Sequence, residues 1–292
     1  MNRGLLVKSV RDSGTVTVLL AAALLLAEGL LGYVLPTVMS DFSDQLLQVP
    51  FFRTIITALL GTDIGDSLVP TTLIAIAWVH PVVLAIVWSH AIVFCTRVPA
   101  GEIDRGTIDV LLGLPVSRWN VYVAETIVLL LSGLLVLMMG LLGHRLGILS
   151  VPRVERPGVG PLMGIVANLY CLYIAVGGLA FLVSAMSNHR GRAVAIVFGI
   201  LLFSFLLNFL AQFWSPAQAV AFVSLLNYYQ PLPMLRTGDW PVADMIVLAG
   251  FGAVTWTAAP LRCASLVVRT ETPMAINRMA ATTAREIRVG IL

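Results

Sequence analysis

The sequence has few charged residues and almost no lysine. Only 11% of its 292 residues are Asp, Glu, Lys or Arg, and Lys8 is the single lysine. A soluble domain carries about a quarter charged residues, so this composition excludes an ordinary soluble domain. With 59% hydrophobic residues, the chain is instead predicted to be an integral membrane protein. Its basic residues are scattered beside apolar segments, which argues against nucleic-acid binding and favours a role in membrane orientation.

Residues that could carry catalysis are also scarce. The three cysteines, Cys95, Cys171 and Cys263, lie far apart and form neither a disulfide framework nor a metal-binding motif. The four histidines have no His or Cys partner at helical spacing, and no Gly-x-Ser-x-Gly motif is present. A Gly-rich loop ending in Gly-Lys-Ser/Thr, which binds nucleotide phosphates, is missing as well. We therefore expect no enzymatic activity, no metal and no cofactor on this chain.

Long apolar runs, in contrast, are abundant. Six of them approach the roughly 20 residues that a helix needs to cross about 30 Å of hydrocarbon. We place them at 16–38, 69–94, 119–146, 161–186, 193–213 and 242–262. They predict an all-α membrane domain of six transmembrane helices at 16–262. An amphipathic interfacial helix at 1–15 would precede this domain, and a basic cytoplasmic tail at 263–292 would follow it.

The positions of the basic residues predict the orientation of these spans. If both termini are cytoplasmic, thirteen of the 18 Lys and Arg residues lie on the inner side. Because inner loops are enriched in Lys and Arg, we expect a multi-pass protein of the plasma (inner) membrane with both termini in the cytoplasm. The connection 95–118 is then cytoplasmic.

The outer connection before the last span is unusual. Residues 217–235 carry Phe222, Tyr228 and Tyr229 together with two prolines. Because bare loops cannot lie exposed in hydrocarbon, these residues predict a short re-entrant or interfacial element. Such an element could line the exit of a pathway, or it could be an aromatic belt at the membrane surface.

The most polar long insert between two apolar segments is residues 101–118. Thr107 can cap a short helix, Pro115 disfavours helical geometry at the residue before it, and Ser117 can cap the helix that follows. Apolar and polar residues would lie on opposite sides of this helix: Ile103, Val110, Leu111 and Leu114 against Glu102, Arg105 and Asp109. An amphipathic helix here could rest on the lipid surface or bind a cytoplasmic partner.

The order of residues in this insert resembles a known family. Glu102, then Arg105-Gly106-Thr107, then Leu111-Leu112 and finally Pro115-Val116-Ser117-Arg118 look like the first cytoplasmic loop of type 2 ATP-binding-cassette (ABC) transporter permeases. In that family the loop forms a coupling helix seated on the ATPase subunit. The resemblance implies that the residues touching the ATPase are Glu102, Gly106, Thr107, Leu111, Leu112, Pro115 and Arg118.

The resemblance also implies a function. It suggests the six-helix permease subunit of an ABC exporter, working as a homodimer, or as a heterodimer with a second permease. Separate ATPase subunits would bind ATP and Mg. A lipid, a peptide or an amphipathic drug-like molecule would be the substrate. In family permeases, broken outer helices lie between the last two spans, which matches the position of residues 217–235.

One acidic residue, Glu28, is compatible with functions other than that of an ABC permease. Glu28 lies near the middle of the first span, where an ionised acid costs about 2.5–3.5 kcal/mol, so we expect it to face the protein interior. It could line or gate a pathway, or it could form a structural hydrogen bond to a polar group such as Asn168 or Asn208. An ion-coupled secondary transporter and an intramembrane enzyme are therefore the alternative functions.

Overall fold

Helices form the regular structure of the chain. The structure, a computed structural model, describes residues 3–38, 49–60, 69–108, 113, 117–153 and 156–259, and these residues contain no β-strand. The helices are α1 Arg3–Val38, α2 Pro50–Leu60, α3 Pro70–Val79, α4 Pro81–Cys95, α5 Arg118–Gly147, α6 Val159–Ala185, α7 Arg190–Leu210, α8 Ser215–Ala219, α9 Pro231–Thr237 and α10 Val242–Ala259. The predicted all-α class is confirmed.

Six helical segments are long and apolar enough to cross a membrane. They are Arg3–Thr37, Pro70–Cys95, Arg118–Ser150, Val159–Ala185, Arg190–Leu210 and Val242–Ala259, which confirms the predicted number of spans. The N-terminal residues are not a separate helix, because α1 continues unbroken through the predicted junction at residue 15. That junction contains no proline, and the Ser13 hydroxyl donates to the carbonyl of Ser9 one turn earlier, at 2.7 Å. The predicted tail at 263–292 lies outside the described residues.

The second span is divided into two helices where a single one was predicted. α3 ends at Val79, and α4 begins at Pro81. His80 between them has an extended ψ of 133°, because a residue before proline is driven away from helical geometry. The His80 side chain accepts a hydrogen bond from the backbone N–H of Val82 at 3.3 Å and so caps α4.

The first and third spans pack closely and run parallel. Two side-chain contacts between α1 and α5, Ser9 with Glu125 and Glu28 with His144, each join residues 116 positions apart, so the helices keep one register. A Cβ added at Gly143 would lie 2.0 Å from the carbonyl oxygen of Leu25, so only glycine permits this approach. Small residues allow such close backbone packing between membrane helices, where apolar burial adds little driving force. α1 and α5 therefore behave as one packed pair.

The connection between α7 and α10 is a series of short helical turns. α8 and α9 flank two 3₁₀ turns, Ala221–Val223 and Leu225–Tyr228. The Tyr229 hydroxyl donates to the carbonyl of Trp78 on α3 at 3.1 Å, and Leu232 is fully buried. This region thus folds back against the helix bundle, as broken helices do. Its depth in the membrane stays a prediction.

Candidate coupling site and buried polar contacts

Glu102 is the polar centre of the α4–α5 loop, residues 96–117. It lies in a single helical turn, Glu102–Asp104, and its side chain is buried. Thr107 Oγ1 donates a hydrogen bond to Glu102 Oε2, and Arg105 Nη2 donates to Oε1 at 3.2 Å. Lys8 Nζ on α1 lies 3.5 Å from the same Oε1. The carboxylate therefore holds the loop in its fold and joins it to the start of α1.

These contacts also set the charge of Glu102. Burial alone would raise the pKa of its carboxyl, but the hydrogen bond from Thr107 and the positive charges of Lys8 and Arg105 outweigh that effect. The pKa of Glu102 is consequently held below its ordinary value. The side chain is therefore an anion at neutral pH and bonds within its own chain.

Gly106 changes the direction of the loop. Its φ is +70°, a left-handed conformation that glycine adopts without the penalty of a Cβ. Arg105 and Gly106 form a turn, and helical geometry resumes only at Ile108. The helix predicted over this insert is therefore interrupted by a turn between Glu102 and Ile108. Asp109, Val110, Leu111 and Leu114, which were predicted to share its faces, lie outside the described residues, so the shared faces stay a prediction.

The same loop contacts the start of α7. His189 Nδ1 lies 2.9 Å from Asp104 Oδ1, and this hydrogen bond lowers the pKa of Asp104. The Arg190 guanidinium donates to the carbonyl of Val93 at the end of α4, at 3.1 Å. The first contact joins the loop to the short α6–α7 connection at residues 186–189, and the second joins the start of α7 to α4.

Beneath the loop lies a buried ion pair that the sequence did not reveal. Arg97 Nη2 donates to Glu125 Oε2, and also to Ser9 Oγ at 2.9 Å. The exposed fractions of Arg97 and Glu125 are 7% and 6%. Glu125 is therefore shielded from water and faces an arginine from the loop. The two residues are 28 positions apart, and no local pattern links them.

The remaining residues predicted to touch an ATPase divide into two groups. Arg118 is exposed at the first position of α5. Ser117 caps that helix as predicted, accepting a hydrogen bond from the N–H of Asn120 at 3.1 Å. Leu111, Leu112 and Pro115 lie outside the described residues, so their contact with an ATPase stays a prediction.

Glu28 faces the protein interior, as predicted, but its partner is not the predicted one. Its side chain is 0% exposed, and Oε2 lies 2.9 Å from Nδ1 of His144 on α5. Neither asparagine proposed as a partner fills this role. Asn168 donates instead to the carbonyl of Tyr228 in the broken outer region, at 3.1 Å. The feature of the sequence that would have identified this partner is His144, near the end of the third span.

A second buried histidine also joins several spans. His90 Nε2 lies 3.1 Å from Thr17 Oγ1 on α1, and His90 Nδ1 lies 2.9 Å from the Tyr173 hydroxyl on α6. That hydroxyl lies 3.2 Å from the carbonyl oxygen of Leu129 on α5. Among the described residues, no group of three or more His, Cys, Asp or Glu side chains could hold a metal ion. His90 and His144 are therefore hydrogen-bonded to side chains on other helices of the bundle.

The sequence matches a family described as ABC-2 family transporter protein over residues 15–270. The match includes the α4–α5 loop and every helix from α2 to α10. No curated protein and no solved structure matches the chain.

Proposed function

The chain belongs to the ABC-2 transporter family, and we propose that it is the permease subunit of an ABC exporter. A separate ATPase subunit would bind ATP and Mg, so this chain itself would be non-catalytic. Two permease chains, identical or different, would assemble with two ATPases, because alternating access needs two halves that move against each other. We place the protein in the plasma (inner) membrane with both termini cytoplasmic. The apolar bundle suits a lipid, a peptide or an amphipathic drug-like substrate.

The observation that supports this proposal is the double attachment of the α4–α5 loop. Glu102 joins the loop to Lys8 on α1, and Asp104 joins it to His189 before α7. A force applied to this loop would therefore reach the first and fifth spans as well as the second and third. That is the property that an ATPase needs at its contact with a permease.

The structure changes the role that we assign to Glu102. Because its carboxylate is buried and bonded within the chain, we infer that it positions the loop rather than touching the ATPase. Gly106 and Thr107 would act with it, through the turn and the hydroxyl donor. Leu111 and Leu112 remain our proposed apolar anchors, with Pro115 ending their helix. Arg118, exposed at the start of α5, would fix the orientation of the partner.

The test replaces both leucine anchors with aspartate. Burial of one leucine contributes about 1.5–3 kcal/mol, and a helix bound in a groove depends on a few such anchors. Leu111→Asp with Leu112→Asp is therefore expected to remove most of the ATPase that co-purifies with the chain. Substrate-stimulated ATP hydrolysis should fall in parallel, while membrane insertion should persist because the change lies in a loop.

The matched control adds the same two charges elsewhere on the cytoplasmic side. Val7 and Val10 are 66% and 55% exposed on the first turns of α1. Val7→Asp with Val10→Asp should loosen membrane contact and leave ATPase co-purification near the wild-type level. If the leucine variant retains the ATPase and its stimulated hydrolysis, the loop is not the docking site. Energy transfer through this loop would then be excluded.

A further inference from the structure

A cavity of about 600 Å³ opens beside the α4–α5 loop, at the same end of the helix bundle. Its walls come from the first half of α1, the end of α4, the loop itself and the first residue of α7. Along α1 its lining runs from Lys8 to Thr17, and nine residues of α-helix correspond to about 14 Å. Its inner end, formed by Thr17 and His90, therefore lies within the helices of the first and second spans.

The charges around this cavity are balanced. The charged residues of its lining are Lys8, Asp12, Arg97, Glu102, Arg105 and Arg190. Two further acids act on these cations from outside the lining, since Glu125 pairs with Arg97 and the charge of Asp104 acts on Arg190. Among the described residues, four cations therefore face four acids. Such a site has no excess charge with which to select an anion or a cation.

Polar side chains in the walls already have partners within the chain. Ser13 Oγ donates to the carbonyl of Ser9 at 2.7 Å, and Thr17 Oγ1 lies 3.1 Å from Nε2 of His90. Arg97 Nε has no hydrogen-bond partner among the described residues, but it is shielded from the cavity and offers no donor to a solute. Because these groups are paired, the walls have little unmet need for a tightly bound ligand.

Water is the occupant that this lining suits. An apolar cavity stays dry, whereas a roomy cavity with polar walls holds water. Ion pairs lie at the mouth, and serine, threonine and histidine side chains continue to the inner end. The apolar part of the lining is Val16, Val93 and Phe94. An acyl chain in this space would cover the polar groups without solvating them, which is costly.

We propose that this cavity is a water-filled entrance that leads into the first and second spans from the end of the bundle that we place in the cytoplasm. It ends at the Thr17–His90 contact, which continues to the Tyr173 hydroxyl on α6, 2.9 Å from His90 Nδ1. This inference rests on the proposed permease function and adds the place where the polar part of an amphipathic substrate enters. The balanced charges let the entrance admit polar groups of either sign.

The experiment measures how fast single cysteines react with hydrophilic thiol reagents, in the full-length chain in lipid nanodiscs and in a cysteine-free background. The thiolate is the reacting species, and a thiol in hydrocarbon forms little of it, so the rate reports contact with water. Val16→Cys, in the wall of the entrance, is expected to react about tenfold or more faster than Leu19→Cys. Leu19 is the matched control, because it lies within one turn of Val16, is 64% exposed and does not line the cavity.

Two further arms test the walls and the charge balance. Val93→Cys, on the opposite helix, should also react, and adding Val16→Trp should slow this reaction because the indole fills the cavity. Met186→Cys, 60% exposed and outside the cavity, should keep its rate when Val16→Trp is added. A cationic and an anionic reagent should react with Val16→Cys at similar rates, each taken relative to Met186→Cys.

Equal rates for Val16→Cys and Leu19→Cys would overturn the proposed entrance, and so would a Val93→Cys rate that Val16→Trp leaves unchanged. A strong preference for one sign of reagent would show a charge-selective site and contradict the balanced entrance. Each variant is first shown to elute and unfold as the wild type does, so a change in rate is not a loss of folding. Because no ATPase is present in this assay, its outcome is independent of the leucine experiment on docking.

Discussion

The buried ion pair between Arg97 and Glu125 provides a quantitative test of what holds the cytoplasmic end of the bundle together. Glu125→Gln keeps the shape of the side chain and removes its charge. Arg97 would then remain almost fully buried, with the hydroxyl and carbonyl of Ser9 as hydrogen-bond acceptors and the partly exposed Asp12, 3.9 Å away, as its remaining acid. The variant thus measures the cost of removing the close partner of a buried charge.

The expected magnitude follows from the burial of the pair. Removing one partner of a buried ion pair costs about 3–5 kcal/mol, because the other charge is left in a medium of low polarity. For a chain of this size, that corresponds to a fall of roughly 6–15 °C in the unfolding midpoint. Asp239→Asn is the control, since it makes the same change from acid to amide at an exposed position. Surface substitutions of this kind usually change stability by less than about 0.5 kcal/mol.

The assay uses a thiol-reactive dye during heating of the purified chain in detergent, in a background with Cys171 and Cys263 replaced by serine so that Cys95 is the reporting thiol. Cys95 is fully buried beside Arg97, so its reaction reports opening of this end of the bundle. The double variant Arg97→Gln with Glu125→Gln should lose less stability than the two single changes added together, because no unpaired charge remains. Equal midpoints for Glu125→Gln and Asp239→Asn would refute the reasoning, and so would simple additivity in the double variant.

Two further predictions concern the role of Glu28 and the membrane topology. Glu28→Gln is expected to insert and assemble normally, because it keeps the shape of the side chain and its contact with His144. Unchanged export by this variant would contradict a gating role and leave the structural one. Single cysteines at Ser43 and Met186, in a cysteine-free background, should react with impermeant reagents from outside and inside respectively; Met186 is chosen because it is 60% exposed, whereas the neighbouring Ser187 is buried. Labelling of both from one side would show that the number of spans between them is wrong.

Features that depend on neighbouring residues could be predicted from the sequence. Six apolar runs, each long enough to span a membrane, predicted six helices because the cost of burying unpaired backbone groups in lipid leaves few other structures. Ser117 was predicted to cap α5 because a cap needs only the next few residues. The division of the second span could have been predicted in the same way, since His80-Pro81 is a local signal that the periodicity of the run concealed.

The contacts of the polar residues were decided by the tertiary structure. Glu28 was predicted to face the protein because a lone acid in lipid is costly, yet its partner lies 116 residues away on α5. Arg97 and Glu125 meet because the loop folds under α1, and Glu102 turns inward because Lys8 reaches it from another helix. Hydropathy determines which segments enter the membrane, but it is nearly the same on every apolar helix and so carries little information about which helices pack together. That choice depends on small residues such as Gly143 and on the register of whole helices, and this register places each acid opposite its cation or its histidine.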